Sequence, residues 1–419
     1  MKRTILALSV CLSVVPSSAQ AVDWALNSTL SESVELNNNP FLRALAAGTF
    51  SSYSTIAANA VARTPTSKFI FDGDVNYRKY WGPGIDTPGT QSESIGGNAK
   101  LHYETKGKDS TDRNYVDAVW HRQSTAFALL GDLGVLTPTR GFLDTSTVGG
   151  GIERSITALD FVSLAARSSY TSYDPGTGGT PFIDTSASVT WRHRINSIAV
   201  LTASSEIETL HFDNSLNTNV TILRENAGVE ATLSPRLSFR GTAGVAYVQT
   251  ENGVAASSLT PSSKGADSSA SDFITNMVLT YKMFSDTTLT FTGLQTIAPS
   301  VVGSLTKRTT ISAGLARTVN SRTTLSFSAD ATRQIFSGTE SDFLSASVTY
   351  GYQLTREWTA QLSYRYLHRL ATSGTASTGF VLDPITGVPL PVTSGLGPAS
   401  SNSILLVVSR SVSILPDGT

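Results

Sequence analysis

The segment KRTTISAGLARTVNSRTTLSFSADATRQIFSGTESDFLSASVTYGYQLTREWTAQLSYRYLHRL, Lys307–Leu370, decides the fold when it is read in steps of two. Thr309, Ile311, Ala313 and Leu315 share one parity, with Thr310, Ser312 and Gly314 between them. After Val319-Asn320-Ser321-Arg322 the pattern resumes, with Leu325, Phe327 and Ala329 against Thr324, Ser326, Ser328 and Asp330. Beyond a loop at Ser337–Glu340 come Leu344, Ala346, Val348, Tyr350 and Tyr352 against Ser345, Ser347, Thr349 and Gly351. The turn Thr355-Arg356-Glu357 leads into Trp358, Ala360, Leu362, Tyr364 and Tyr366 against Thr359, Gln361, Ser363 and Arg365. Alternation of this period describes a strand with one face in an apolar phase and the other in a polar one. Successive strands of this kind, joined by alternately tight and looser turns, form a meander.

Composition says what the apolar phase is. The chain is 40% hydrophobic with a formal net charge of −1, below the ~45–50% apolar content of ordinary globular chains. A soluble β-protein of this length would show continuous buried runs or a helical layer, and the sequence shows neither. A transmembrane antiparallel up-and-down β-barrel, all-β, accounts for the pattern, because only the outward half of each strand is apolar and the lumen is polar. The N-terminus carries Met1-Lys2-Arg3, an apolar core from Thr4 to Pro16, and a small-x-small site at Ala19-Gln20-Ala21. This reads as a secretory signal peptide over residues 1–21, followed by one barrel domain over 22–419. The single cysteine, Cys11, lies inside that peptide, so thiol and disulfide chemistry are excluded from the mature chain.

Taken in order, candidate strands begin at Trp24–Glu35 and Gly48–Ala62. The third sets Phe69, Phe71, Val75 and Tyr77 against Lys68, Asp72, Asp74, Asn76 and Arg78; the fourth sets Ile95, Ala99, Leu101 and Tyr103 against Asn98, Lys100, His102 and Glu104. A fifth carries Val116, Ala118 and Trp120, a sixth spans Thr145–Glu153, and a seventh runs to Tyr173. Ala126–Val135 reads either as a strand of its own or as part of a loop. An even count is required if both ends of the chain lie on the periplasmic side, which gives 18 strands, with 16 as the alternative. Short connections at 64–67, 154–156, 193–196, 234–236, 284–286, 320–322 and 355–357 contrast with long Gly-, Ser- and Pro-rich ones at 81–91, 174–180, 251–270 and 371–400. Short periplasmic turns and long extracellular loops are the expected asymmetry. Trp24, Trp191 and Trp358 fall at short-turn ends and Trp81 at a loop end, as aromatic girdles require.

The polar parity supplies the candidate lumen lining: Lys68, Asp72, Asp74, Arg78, Lys100, Glu104, Arg167, Arg192, Glu206, Arg224, Arg240, Asp330 and Arg365, with Asp117, Glu208 and Lys282 beside them. Charged side chains inside a membrane barrel need water or a partner, which implies a hydrated or salt-bridged interior. Within the longest loop, Phe380, Val381, Leu382, Ile385 and Leu390 lie close together among Pro384, Pro389, Pro391 and Pro398. A solvated loop has no need of that apolar group, so this segment reads as a gate over the extracellular mouth.

Enzymatic readings fail. The 5 histidines are scattered without metal-ligand spacing, and neither a nucleophile elbow nor a phosphate-binding loop before a helix is present. No cofactor is expected, and no basic patch suits nucleic acid.

The opening Leu26-Asn27-Ser28-Thr29-Leu30-Ser31-Glu32-Ser33 with the Asn37–Asn39 cluster, the regular hairpins, and the closing Ser401–Arg410 together resemble the beta-barrel porin 2 family of bacterial outer-membrane barrels. The resemblance covers the mature chain and implies an association with exopolysaccharide export. Such barrels commonly end on an aromatic residue that the insertion machinery reads, whereas Val412 takes that place here and Ser413–Thr419 trail beyond it. Implied partners are outer-membrane lipid, the barrel-insertion machinery and periplasmic components of a polysaccharide export system. Three functions stay open: a conduit for a secreted polysaccharide, a general or solute-specific diffusion porin, and a structural or adhesive barrel with an occluded lumen.

Overall fold

The computed structural model describes residues 22–42, 46–83, 85, 91–106, 112–125, 141–175, 177, 179–253, 266–299, 305–336, 339–370, 380–382, 389–391 and 398–415. Its wall is built from β1 (Asp23–Asn37), β2 (Thr49–Arg63), β3 (Ser67–Trp81), β4 (Glu93–Lys106), β5 (Arg113–Ser124), β6 (Phe142–Ser155), β7 (Asp160–Tyr173), β8 (Phe182–Arg194) and β9 (Ala199–Phe212). It continues with β10 (Asn219–Ser234), β11 (Leu237–Gly253), β12 (Ala266–Phe284), β13 (Thr287–Pro299), β14 (Leu305–Asn320), β15 (Thr323–Phe336), β16 (Thr339–Gln353) and β17 (Trp358–Arg369). A small hairpin, β18 (Phe380–Leu382) with β19 (Pro389–Pro391), precedes the last wall strand, β20 (Ala399–Leu415). Each wall strand pairs antiparallel with its sequence neighbours, and β20 pairs with both β17 and β1, so an 18-stranded sheet closes on itself.

Local chemistry sets the tight turns. Asn196 Oδ1 accepts from the Ile198 and Ala199 amides, Asn320 Oδ1 from Arg322, and Ser234 Oγ from Arg236. Thr64, Thr157 and Thr355 use their hydroxyls the same way towards amides two or three residues on. Short polar side chains thereby replace the ladder partner that a reversing backbone loses. All the short connections read from the sequence lie at one end of the barrel and the long ones at the other.

The alternation sorts as the period demands. Outward positions stay bare: Ile56 is 62% exposed, Val75 62% and Ile311 67%. An apolar surface wrapping a closed wall needs lipid around it, and closure leaves no strand edge to face that lipid.

Three sequence readings change in detail. Strand β12 begins at Ala266, inside the stretch read as the 251–270 loop, because its Ser- and Asp-rich start pairs with β11. The last strand runs past Val412, with Leu415 opposite Leu26 across a bulge. The segment read as a structureless loop over 371–400 contains the β18–β19 ladder, which pairs Phe380 with Pro391 and Val381 with Leu390. Ile385 and Ala126–Val135 lie outside the described residues.

Candidate channel lining

Two walls face each other across the barrel. From β3 to β11 the inner parity carries charge, and most of it is paired. Near the short-turn end, Glu104 lies 3.4 Å from Arg113, which reaches Glu153 at 2.7 Å, while His102 Nδ1 is 2.7 Å from Asp117. Asp72 accepts from Asn59 Nδ2 at 2.5 Å and stands opposite Lys100 in register. Asp74 accepts from Asn98 Nδ2 at 2.7 Å, and Lys68 stands opposite Glu104. Glu230 sits between Arg240 at 2.5 Å and Arg192 at 3.2 Å. Higher up, Arg224 pairs with Glu208 at 2.5 Å and Glu206 at 3.5 Å, and Arg167 reaches Asp184 and Glu208 at 3.4 and 3.5 Å. Glu208 is only 3% exposed, so its charge depends on those guanidinium groups.

From β13 to β17 the same parity is mostly hydroxyl. Ser328 and Ser347 approach to 2.7 Å, Thr310 and Thr332 to 3.0 Å, and Thr349 and Ser363 to 3.0 Å. Asp330 is a carboxylate within this wall, and Ser345 Oγ donates to it at 2.5 Å. Threonine and serine suit cross-strand positions because they favour extended backbone and bond to one another.

The lining is not polar throughout, contrary to the sequence expectation. Leu210, Phe212, Val220, Ile222, Ala246, Val248 and Ile274 occupy the inner parity of β9–β12 at the long-loop end and form one buried cluster with Ile297 of β13, packed also by Phe182 and Leu305. The cause is a departure of the wall from a simple cylinder. Pairing of β12 with β13 stops at Thr275–Gln295, although β12 continues up to Ala266 and β13 to Pro299. The Arg224 guanidinium of β10 donates to the Ile297 carbonyl at 3.2 Å. Strands β10 and β13 are three spacings apart around the wall, ~14 Å, too far for an arginine to span unless β13 turns inward. Lys307 of β14 confirms the direction: on the outward parity, it pairs at 2.6 Å with Asp272 on the inner parity of β12. The outer face of the β13–β14 tip therefore lies on the inner face of β9–β12. Ile297 and Leu305 meet Ile222, Phe212 and Ile274 as two sheet faces meet in a sandwich. A cavity of about 500 Å³ lies where the tip meets the charged wall, lined by Asp184, Glu206, Glu208, Arg224 and Gln295 among others.

A second cavity of about 500 Å³ opens where β1–β3 meet β16, β17 and β20. Here Glu35 Oε2 pairs with Arg78 at 2.5 Å and Oε1 with Arg365 at 3.6 Å. The Arg78 guanidinium carbon lies 4.8 Å from the Tyr80 ring centre and 5.7 Å from that of Tyr53. Arg78 and Arg365 were named from the sequence and Glu35, Tyr53 and Tyr80 were not, although the β1–β2–β3 hairpins set Tyr53 opposite Arg78 and Glu35 opposite Ser51. Closure through β20, which lies between β17 and β1, then brings in Arg365. Every charged residue singled out from the sequence sits on the inner parity of its strand. They form several separate groups rather than one site. On the outer parity Glu225 accepts from Ser205 Oγ at 2.6 Å, an exception to the apolar exterior.

No family model and no curated protein matches the chain. Solved structures do resemble it. The FrpB iron transporter of Neisseria meningitidis (F3-3 variant) is 8% identical with a TM-score of 0.49, over 93% of this chain and 81% of that one. OccAB2 of Acinetobacter baumannii is 11% identical with a TM-score of 0.45, over 93% and 98%. OccK2 (OpdF) of Pseudomonas aeruginosa is 9% identical with a TM-score of 0.46, again over 93% and 98%.

Proposed function

We propose that this protein is an outer-membrane channel that passes small polar solutes, exported through the inner membrane on its signal peptide and placed in the outer membrane by the barrel-insertion machinery. The observation that carries the reading is the closed wall with an apolar exterior and an interior of paired charges facing hydroxyl groups. Paired charges keep water in the lumen without fixing one sign of solute, and the β13–β14 tip narrows the path on one side. Reconstitution into planar bilayers tests it: steady ohmic conductance supports the channel, and a folded, heat-modifiable barrel without conductance makes it an occluded surface protein.

Conduction of a secreted polysaccharide is the second reading. The hydroxyl wall favours it, because Thr310, Thr332, Ser328, Ser347, Thr349 and Ser363 offer uncharged donors and acceptors on adjacent strands, along which a sugar chain exchanges hydrogen bonds. Block of the current by long oligosaccharides at low concentration supports export, and unhindered ohmic current in their presence supports diffusion. Under either reading, the loop that carries Phe380, Val381, Leu382, Ile385 and Leu390 gates the mouth. Deleting residues 374–397 should then raise single-channel conductance; unchanged conductance in a folded barrel would leave the loop as surface decoration.

A further inference from the structure

The cavity bounded by Glu35, Arg78 and Arg365 has the makings of a binding site. Its charged lining residues are two guanidinium groups and one carboxylate, and both carboxylate oxygens are already engaged. Arg78 is held by Glu35, by Ser51 Oγ at 3.4 Å, and by the tyrosine faces on either side. Arg365 is different. Its ion pair with Glu35 is long, 3.6 Å, and its side chain is 57% exposed. Arg365 lines the cavity with a guanidinium that carries five N–H donors, and such a planar fork matches a carboxylate in two parallel hydrogen bonds. Around it stand Ser33, Ser94, Ser347, Thr349, Ser363 and Ser403, which donate and accept, with the Tyr53 ring on one side. The volume of about 500 Å³ falls within the ~300–1,000 Å³ usual for small-molecule sites.

We propose that this cavity binds a singly anionic, polyhydroxylated solute, a sugar acid of the uronate type, with its carboxylate on Arg365 and its hydroxyls on the surrounding serines and threonines. The excess positive charge selects the anion, and the hydroxyl lining selects the polyol. The assignment rests on the channel reading for its purpose, but binding is measurable without conduction.

Calorimetric titration of the detergent-refolded barrel with glucuronate and with glucose gives the first readout. Glucuronate should bind about tenfold or more tightly than glucose, and Arg365→Gln should erase that preference. Arg365→Lys should keep part of it, and Arg410→Gln, at the short-turn end beside Glu357, should keep all of it. Should Arg365→Gln not fold, Glu35→Gln serves instead: freeing both guanidinium groups should tighten glucuronate several-fold. Equal binding of the two sugars, no binding of either, or unchanged glucuronate affinity in both Arg365→Gln and Glu35→Gln overturns the site. Current block by glucuronate in bilayers separates the two claims. Arg365-dependent binding in a barrel that passes no current overturns the channel and keeps the site; conduction with Arg365-independent binding does the reverse.

Discussion

The two inner walls are made of the same secondary structure yet hold themselves together differently. Along β3–β11 the contacts are ion pairs, several linked through a shared residue: Glu208 serves Arg224 and Arg167, and Glu230 serves Arg240 and Arg192. Along β13–β17 they are isolated hydroxyl pairs, each confined to two neighbouring strands. A linked network fails when one member is removed, because the remaining charge keeps its desolvation cost. An isolated pair fails alone. The charged wall should therefore be brittle and the hydroxyl wall tolerant.

Arg224→Ala gives the largest expected effect. It leaves Glu208 buried without its closest cation and removes the tie to the Ile297 carbonyl, at a cost of about 3–5 kcal/mol. Reversible urea unfolding in lipid vesicles measures this, and a loss below 1 kcal/mol would mean the charged wall is as tolerant as the other. Next comes the contrast between the faces of a single strand. Phe327→Arg or Leu362→Arg, on the lipid side, should cost about 2–4 kcal/mol, whereas Ser326→Arg or Gln361→Arg should be nearly silent. Equal losses on both parities would reverse the assignment of inside and outside. Smallest is Ser328→Ala: the Ser347 hydroxyl left behind can turn to water, so the change should stay within about 0.5 kcal/mol. A larger loss would mean that the hydroxyl pairs act together.

Strands β14–β17 were legible because their alternation is unbroken and each tight turn carries an Asn, Ser or Thr that fixes the reversal. The inward turn of β13 was not, since Gln295-Thr296-Ile297-Ala298 keeps an ordinary strand pattern. The signal lay elsewhere. Leu210, Phe212, Val220, Ile222, Val248 and Ile274 place apolar groups on the polar parity at one end of four successive strands. Such a reversal demands a second layer inside the barrel, and among the described residues the ends of β13 and β14 supply it. The cavity around Arg365 was half legible: parity placed both arginines inside and the first hairpins set Glu35, Tyr53 and Tyr80 beside Arg78, but Arg365 joins them only through closure of the sheet.

The parting of β12 from β13 has a consequence for exchange with solvent. Between Ala266 and Ile274 the ladder of β12 runs on the β11 side alone. Across the parting, Gln295 Nε2 donates to the Phe273 carbonyl at 2.5 Å. Alternate amides along this stretch thus point away from any wall strand, and they should exchange deuterium sooner than those of Met277 and Leu279, which lie below the parting between two ladders. The slow amides of the barrel should therefore trace a notch in its rim, and its lower point, at Thr275, is where the inward-turned tip is hinged.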